Sequence, residues 1–245
     1  STGKDSVGRL PIAVESAQVA KVGGALSVAF SGSNSDLVVE GELGAQFIFW
    51  EWITALLGVG LKIDPFNQPN VTEAKEQTAA CLAEWKNQLP VLTADCVENG
   101  VEIFGDGQSL KDALATFIED VKDGGYIAIM AYLDRQDDSK LAELRSILAE
   151  KSGKPTSFGW GPRFLHSTGQ FHKGGQKNGS FLQITGDTTV DFEIPGRAFT
   201  LKTLLFAQAI GDNRALATRK YPLLRLNLQN RSAGIDQLLS AARSL

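Results

Sequence analysis

The stretch GYIAIMAYLDRQDDSKLAELRSILAEKSGKPTSFGW, residues 125–160, decides the expected fold. It opens with the apolar run GYIAIMAYL (125–133), which predicts a strand buried on both faces. Leucines and isoleucine at helical spacing follow between 138 and 153, with Asp or Ser as the cap and Gly153 as the end. The segment TSFGW (156–160) predicts a second, short strand. Strand, helix and strand in succession indicate a parallel β-α-β unit.

The same alternation continues to the C-terminus. Strands are expected at 179–185 and 222–228, and helices at 199–220 and 232–245, the first of them broken near Gly211. Because parallel strands joined by helices bury both faces of the sheet, we expect an α/β fold of three layers. Its sheet should be mostly parallel and flanked by helices.

The first hundred residues are less regular, and we expect one domain over 1–245 with an irregular part at 1–100 and a regular β/α part at 101–245. No internal repeat or Pro/Ser-rich linker divides the chain. The elements predicted before residue 125 are strands at 25–30, 36–40 and 101–105 and helices at 46–61, 71–89 and 109–124.

The composition is that of an ordinary globular protein, with 43% hydrophobic and 21% charged residues. With a formal net charge of −4, nothing suggests a nucleic-acid binder, which would usually show a basic face. No nucleic-acid partner is therefore expected. The two cysteines suggest reduced thiols and a cytoplasmic protein. The apolar run 47–61 contains Glu51 and two glycines, which favours a buried helix over a membrane span.

Both histidines of the chain lie in GPRFLHSTGQFHKGG, residues 161–175. The loop has too few ligands for a metal site, and no cofactor is expected. One interpretation is a Gly-rich turn whose polar residues merely cap a helix. The other places His166 at the end of a parallel strand, where ligands bind and where a histidine can move protons. Ser167 and Thr168 would then lie near a helix N-terminus, which suits an anionic or sugar ligand.

Two further stretches are polar and rich in turn residues. In IDPFNQPNVTEAK (63–75), prolines and asparagines predict a rigid turn that opens a helix, and Lys75 lies near the start of that helix. An ordinary exposed lysine is the alternative. In STGKDSVGRLP (1–11), small polar residues and two cations suit a phosphate group, but the glycine spacing of a P-loop is absent.

Together the three stretches resemble the glucose-6-phosphate isomerase family. The segment 63–75 keeps the isoleucine, phenylalanine, glutamine, valine and lysine of a family signature in register. The segment 161–175, with NGSFLQIT after it, is similar to the form found in fused transaldolase/phosphoglucose isomerase proteins. The segment 1–11 resembles the residues that follow the family's catalytic glutamate. The resemblance implies a sugar-isomerase (SIS) fold and a homodimer that acts on a phosphorylated hexose, in glycolysis and gluconeogenesis.

The implied reaction interconverts glucose 6-phosphate and fructose 6-phosphate through ring opening and a cis-enediol. Lys75 matches the lysine that acts in ring opening. His166 matches the ring-opening histidine, through a glutamine four residues further on. A collinear match would instead place Gln46 at that histidine's position. The residues that the resemblance assigns to substrate binding are Gln68, Ser167, Thr168, Gln170, Ser1, Gly3 and Lys4.

The family's base is the glutamate directly before the serine that matches Ser1. We therefore expect this chain to be the C-terminal portion of a longer isomerase and nearly inactive alone. A non-catalytic SIS module that binds phosphosugars and regulates a partner is the alternative. Transaldolase chemistry would need a Schiff-base lysine on a barrel strand, whereas Lys75 lies on a predicted helix.

Overall fold

The computed structural model describes residues 12–14, 26–29 and 36–245. Its strands are β1 Ile12–Val14, β2 Leu26–Ala29, β3 Leu37–Val38, β4 Cys96–Glu98, β5 Val101–Phe104, β6 Tyr126–Tyr132, β7 Thr156–Trp160, β8 Gly179–Gly186 and β9 Leu223–Leu228. Its helices are α1 Leu43–Leu61, α2 Pro69–Glu84, α3 Leu110–Glu119, α4 Leu144–Ser152, α5 Ser167–Gly174, α6 Leu201–Thr218 and α7 Arg231–Arg243.

The main sheet has six strands in the order β4-β5-β9-β8-β6-β7. Strands β9, β8, β6 and β7 are parallel, whereas β4 and β5 add an antiparallel edge. Six of the seven residues of β6 are buried, which confirms the strand buried on both faces. The predicted α/β fold with a mostly parallel sheet is confirmed. A separate three-stranded parallel sheet contains β1, β2 and β3.

A tight turn at Asn99-Gly100 joins the antiparallel pair β4 and β5. Both residues have positive φ, 47° and 82°. Glu98 pairs with Val101 directly across the turn. Two residues of positive φ match the right-handed twist of a hairpin, and Asn-Gly is their usual sequence. Strand β4 was not among the predicted elements, although the Asn-Gly dipeptide after it is a sequence signal for such a hairpin.

Helices cover both faces of the six-stranded sheet. Helices α3, α4 and α7 pack together on one face, and α2, α5 and α6 on the other. The expected break of α6 near Gly211 does not occur. A Cβ at Gly211 would lie 2.7 Å from the backbone nitrogen of Thr78, so this glycine lets α2 and α6 approach closely within an unbroken helix.

The predicted helix over 138–153 is shorter than expected. Residues 139–143 form a 3-10 turn, and α4 begins only at Leu144. Helix α4 ends at Gly153 with a φ of 63°, as the glycine predicted. Helices α3, α6 and α7 begin with side-chain caps, because Ser109, Thr200 and Asn230 each accept a hydrogen bond from a backbone nitrogen three residues on.

The expectation that residues 47–61 form a buried helix is wrong. They belong to α1, in which only Gly58 is buried. Apolar residues surround the helix on all sides, so no single face can direct it into a core. By length and composition alone, α1 is also the one helix of the described residues that is able to cross a membrane. Its exposed large side chains are Leu43, Phe47, Ile48, Phe49, Trp52, Leu56, Leu57, Val59 and Leu61.

Candidate functional site

The histidine loop forms a compact turn at the carboxyl end of β7. A 3-10 turn over Arg163–Leu165 leads directly into α5. Two glycines permit this path, because a Cβ at Gly161 would overlap the ring of Tyr132. A Cβ at Gly169 would overlap the carbonyl oxygen of Phe164. The turn that presents His166 is therefore closely packed at both glycines and is not an open loop.

Hydrogen bonds join this turn to the start of α2. The Gln68 Nε2 donates to the Ser167 Oγ over 3.1 Å. The Gln170 Oε1 accepts from the Asn70 backbone nitrogen, and its Nε2 donates to the Asn70 Oδ1, both over 2.7 Å. Gln170 is 0% exposed, so these two bonds are shielded from water. Residues about 100 positions apart are thus held in a defined relation.

A cavity of about 300 Å³ lies between these two segments, and Lys75 and His166 both line it. Both residues are exposed, so their polar groups can reach a ligand. Among the described residues that line the cavity, none is a carboxylate. The arrangement offers a cation, hydrogen-bond donors and an imidazole to an anionic or hydroxylated ligand. The full lining is Lys75, Thr78, Pro162, Leu165, His166 and Gln208.

A buried ionic network supports the turn from the protein side. Lys173 and Asp212 form an ion pair with both side chains buried. The Lys173 Nζ also donates to the carbonyl oxygens of Phe164, at 3.4 Å, and Gly169, at 3.5 Å. Burial raises the pKa of Asp212, and the ammonium of Lys173 opposes that rise. Since the two carbonyls flank His166, the network positions the backbone on both sides of it.

His172 has no part in the cavity. This second histidine of the segment 161–175 lies in α5 and is 3% exposed. Its ring stacks on Phe164 at 5.8 Å between centroids and packs against Phe181 at 5.0 Å. Burial first, and the Lys173 charge second, lower its pKa from 6.5 to about 3. His172 is therefore a neutral core residue.

The structure brings the two predicted catalytic residues, Lys75 and His166, to one cavity. Gln68 and Ser167 bond to each other, but neither is among the described residues that line the cavity. Thr168 is exposed on the first turn of α5 and does not line it either. Gln170 contacts Asn70, which makes it a connector of the two segments in this structure.

Three predicted residues, Ser1, Gly3 and Lys4, lie outside the described ranges. Gln46, the collinear alternative to His166, lies on α1 and is not one of the described residues that line the cavity. Its side chain donates to the carbonyl of Val39 over 2.8 Å.

Two polar cavity residues were missed by the sequence analysis. Thr78 lies one helical turn after Lys75, so the spacing of three residues could have indicated it. Gln208 lies on α6, and nothing in its local sequence signals the site. Only the packing of α6 on α2 brings it there.

No known family model matches the chain, and no curated protein does. Among solved structures, the chain is similar to a hypothetical protein from Thermus thermophilus, with 17% sequence identity and a TM-score of 0.48. The match covers 90% of this chain and 55% of that one, so the chain spans about half of the other's length. This similarity assigns neither a family nor an activity.

Proposed function

We propose that the chain is the C-terminal part of a glucose-6-phosphate isomerase of the SIS type. In this proposal it supplies the ring-opening residues for the interconversion of glucose 6-phosphate and fructose 6-phosphate. The substrate partner is a phosphorylated hexose, and the location is the cytoplasm.

The strongest support for the proposal is that its two catalytic residues line the same cavity. Lys75 and His166 are 91 residues apart in the sequence, and each was named as catalytic from a different motif, yet both line one cavity. The bond between Gln68 and Ser167 joins the same two motifs. A chance resemblance in either motif alone would not require the two to meet.

Ring opening needs a donor to the ring oxygen and an acceptor for the proton of the anomeric hydroxyl. In the proposal His166 moves this proton, and the Lys75 ammonium donates to the oxygens at the reacting end of the sugar. The Gln68 amide and the Ser167 hydroxyl hold the substrate's hydroxyl groups. Transfer of the proton between C2 and C1 needs a separate base, which is a carboxylate in the family that the chain resembles.

The absence of a carboxylate from the described lining favours the second candidate, a non-catalytic module that binds phosphosugars. Both candidates require that the cavity bind a phosphorylated hexose. They differ in whether Lys75 and His166 contribute to turnover.

The first experiment measures binding of fructose 6-phosphate to the purified chain by saturation-transfer NMR and calorimetry. Lys75→Ala should weaken binding by about tenfold or more, because a charge-assisted hydrogen bond contributes about 1.5–3 kcal/mol. Lys111→Ala is the matched control, since Lys111 is exposed on α3 in the opposite helix layer. Equal binding by the two variants would contradict the proposed site.

The second experiment separates catalysis from binding. The purified chain should show almost no isomerase turnover, and robust turnover would show that the proposed division of the active site is wrong. In the longer isomerase that the proposal implies, Lys75→Ala and His166→Ala should each greatly lower kcat. Unchanged kcat with weakened binding would favour the regulatory module.

The proposal includes a homodimer, and α1 is the surface that suits it. An isologous interface uses the same patch on both copies, so one exposed apolar helix can pair with its own counterpart. Burying that helix in a second copy would remove its exposed apolar surface from water.

A further inference from the structure

A second cavity of about 300 Å³ opens at the carboxyl ends of β6, β8 and β9. The chain runs from β6 to β7 on one side and then crosses to β8 on the other side of β6, so the strand order reverses between β6 and β8. Crevices at such a switch point, outside the carboxyl ends of the strands, are where open α/β sheets bind ligands. Tyr132 and Thr185, near the ends of β6 and β8, both line this cavity.

Arg225 of β9 is the unusual residue in its wall. It is 6% exposed, and its guanidinium lies over the Phe104 ring, 3.3 Å from the centroid. Within the part of the chain that the structure describes, no hydrogen bond or ion pair engages the guanidinium. Burial lowers the pKa of Arg225 to about 10, although Glu102 and Asp95 oppose that change. A buried cation without a polar partner is costly. The five donors of the guanidinium have no partner among the described residues, so a ligand in the cavity could satisfy them.

The carboxylates around the cavity are committed to amide groups. Glu102 accepts from the Asn227 Nδ2 over 2.7 Å and from the Gln229 Nε2 over 3.1 Å. Asp187 also accepts from the Asn227 Nδ2, over 3.2 Å. No hydrogen bond between either carboxylate and Arg225 is present within the described residues. Their charges still lower the affinity of the cavity for a dianion.

The charges of the lining select the kind of anion. Lys202 is the second cation, and its Nζ donates to the carbonyl of Thr188 over 2.9 Å. Two cations and two carboxylates make the lining neutral in sum. A singly charged carboxylate group fits this balance better than phosphate, which carries nearly two charges at neutral pH. A carboxylate also matches the fork of a guanidinium in bidentate geometry.

The opposite wall is apolar. Residues 89–92, with the sequence LPVL, border the cavity together with Leu205 and Phe206 of α6. Val91 is 98% exposed, so the segment has apolar surface that a ligand can cover. A ligand that contacts both walls needs an anionic group and an apolar body, as in most small-molecule sites.

We propose that this cavity is a second ligand site, which binds a small apolar carboxylic acid through the guanidinium of Arg225. The site is separate from the cavity of Lys75 and His166 and does not rest on the isomerase proposal. The buried pair of Asp212 and Lys173 lies between the two, since Tyr132 lines the second cavity and its hydroxyl lies 3.5 Å from the Asp212 Oδ2.

The test is a titration of the ¹⁵N-labelled chain with benzoate at pH 7, followed by NMR. We expect saturable shifts in the backbone amides of 185–188 and 225–227. Inorganic phosphate and benzyl alcohol, each lacking one of the two required features, should bind at least tenfold more weakly. Phosphate binding as tight as that of benzoate, or benzoate shifts confined to other regions, would overturn the proposal.

Variants locate the interaction on the guanidinium. Arg225→Gln should weaken benzoate binding at least tenfold, and Arg225→Lys, which keeps the charge but not the fork, should weaken it less. Arg214→Gln is the matched control, because Arg214 is an arginine of α6 that pairs with Glu84 near the surface. Benzoate affinity that is unchanged in both Arg225 variants would refute the assignment. If Arg225→Gln does not fold, the Arg225→Lys result and the wild-type comparison of benzoate with phosphate decide.

Discussion

Lowering the pH from 7 to 5 should destabilise the folded chain through His172. The imidazole lies among Phe164, Phe181 and Tyr126, and its Nδ1 has no hydrogen-bond partner among the described residues. Protonation in this position would place a second positive charge next to Lys173, in an environment of aromatic rings. The folded state therefore holds His172 neutral, with the pKa lowered from 6.5 to about 3.

The size of the effect follows from proton linkage. Below pH 6.5 the unfolded chain binds a proton at this residue that the folded chain does not bind, so stability falls as the pH falls. Each pH unit in that range costs about 1.36 kcal/mol, which gives about 2 kcal/mol at pH 5. The loss levels off near the folded pKa of about 3, and above pH 6.5 the stability is fully present.

The measurement is urea unfolding at pH 7 and pH 5, followed by far-UV circular dichroism. Wild type should lose about 2 kcal/mol more than His172→Leu between the two pH values, because all other titrating groups are common to both chains. His166→Leu is the matched control, because it removes an exposed histidine. This variant should lose as much unfolding free energy between pH 7 and pH 5 as wild type does.

Equal acid sensitivity of wild type and His172→Leu would refute the reasoning. A direct measurement guards against a variant that folds poorly. The ring-proton NMR signal of His172 should stay in its neutral position from pH 8 to pH 5, and a titration in that range would show that the ring is not buried and neutral.

Three further predictions concern packing, charge and assembly. Gly169→Ala should lower stability by about 2 kcal/mol or more in thermal unfolding, because its Cβ overlaps backbone, whereas Gly44→Ala in α1 has open space and should not lower it. Asp212→Leu should cost about 3–5 kcal/mol in urea unfolding by leaving Lys173 unpaired, and adding Lys173→Met should restore most of the loss. Simple addition of the two losses would contradict the pairing. If copies of the chain associate through α1, Trp52→Glu should shift the mass measured by light scattering from dimer to monomer, and an unchanged dimer mass would exclude this face.

Part of the candidate site was accessible from local sequence. The sequence placed His166 after the strand TSFGW, and His166 directly precedes α5. It also placed Lys75 near the beginning of a helix after a proline-rich turn, and Lys75 lies in the second turn of α2. The role of Gln170 was less accessible. Its side chain is held by Asn70, and no property of either segment alone indicates that contact.

The cavity that Arg225 lines could not be predicted from the sequence at all. In the sequence, Arg225 is one of two polar residues in the strand LLRLNL, where an outward-facing arginine would be ordinary. The antiparallel pairing of β5 with β9 sets Phe104 beside it, and residues of α6 line the same cavity. Whether a strand residue faces solvent or a cavity depends on what packs over it.

The sequence by itself predicted the five main strands and most helices of residues 101–245 and the mostly parallel sheet, because period and capping are local properties of the chain. Tertiary structure decided the rest. It left the apolar helix α1 exposed, buried His172 in an aromatic core and brought Lys75 to His166. These outcomes depend on which surfaces meet, and contacts between residues about 100 positions apart are fixed by the packing of whole layers.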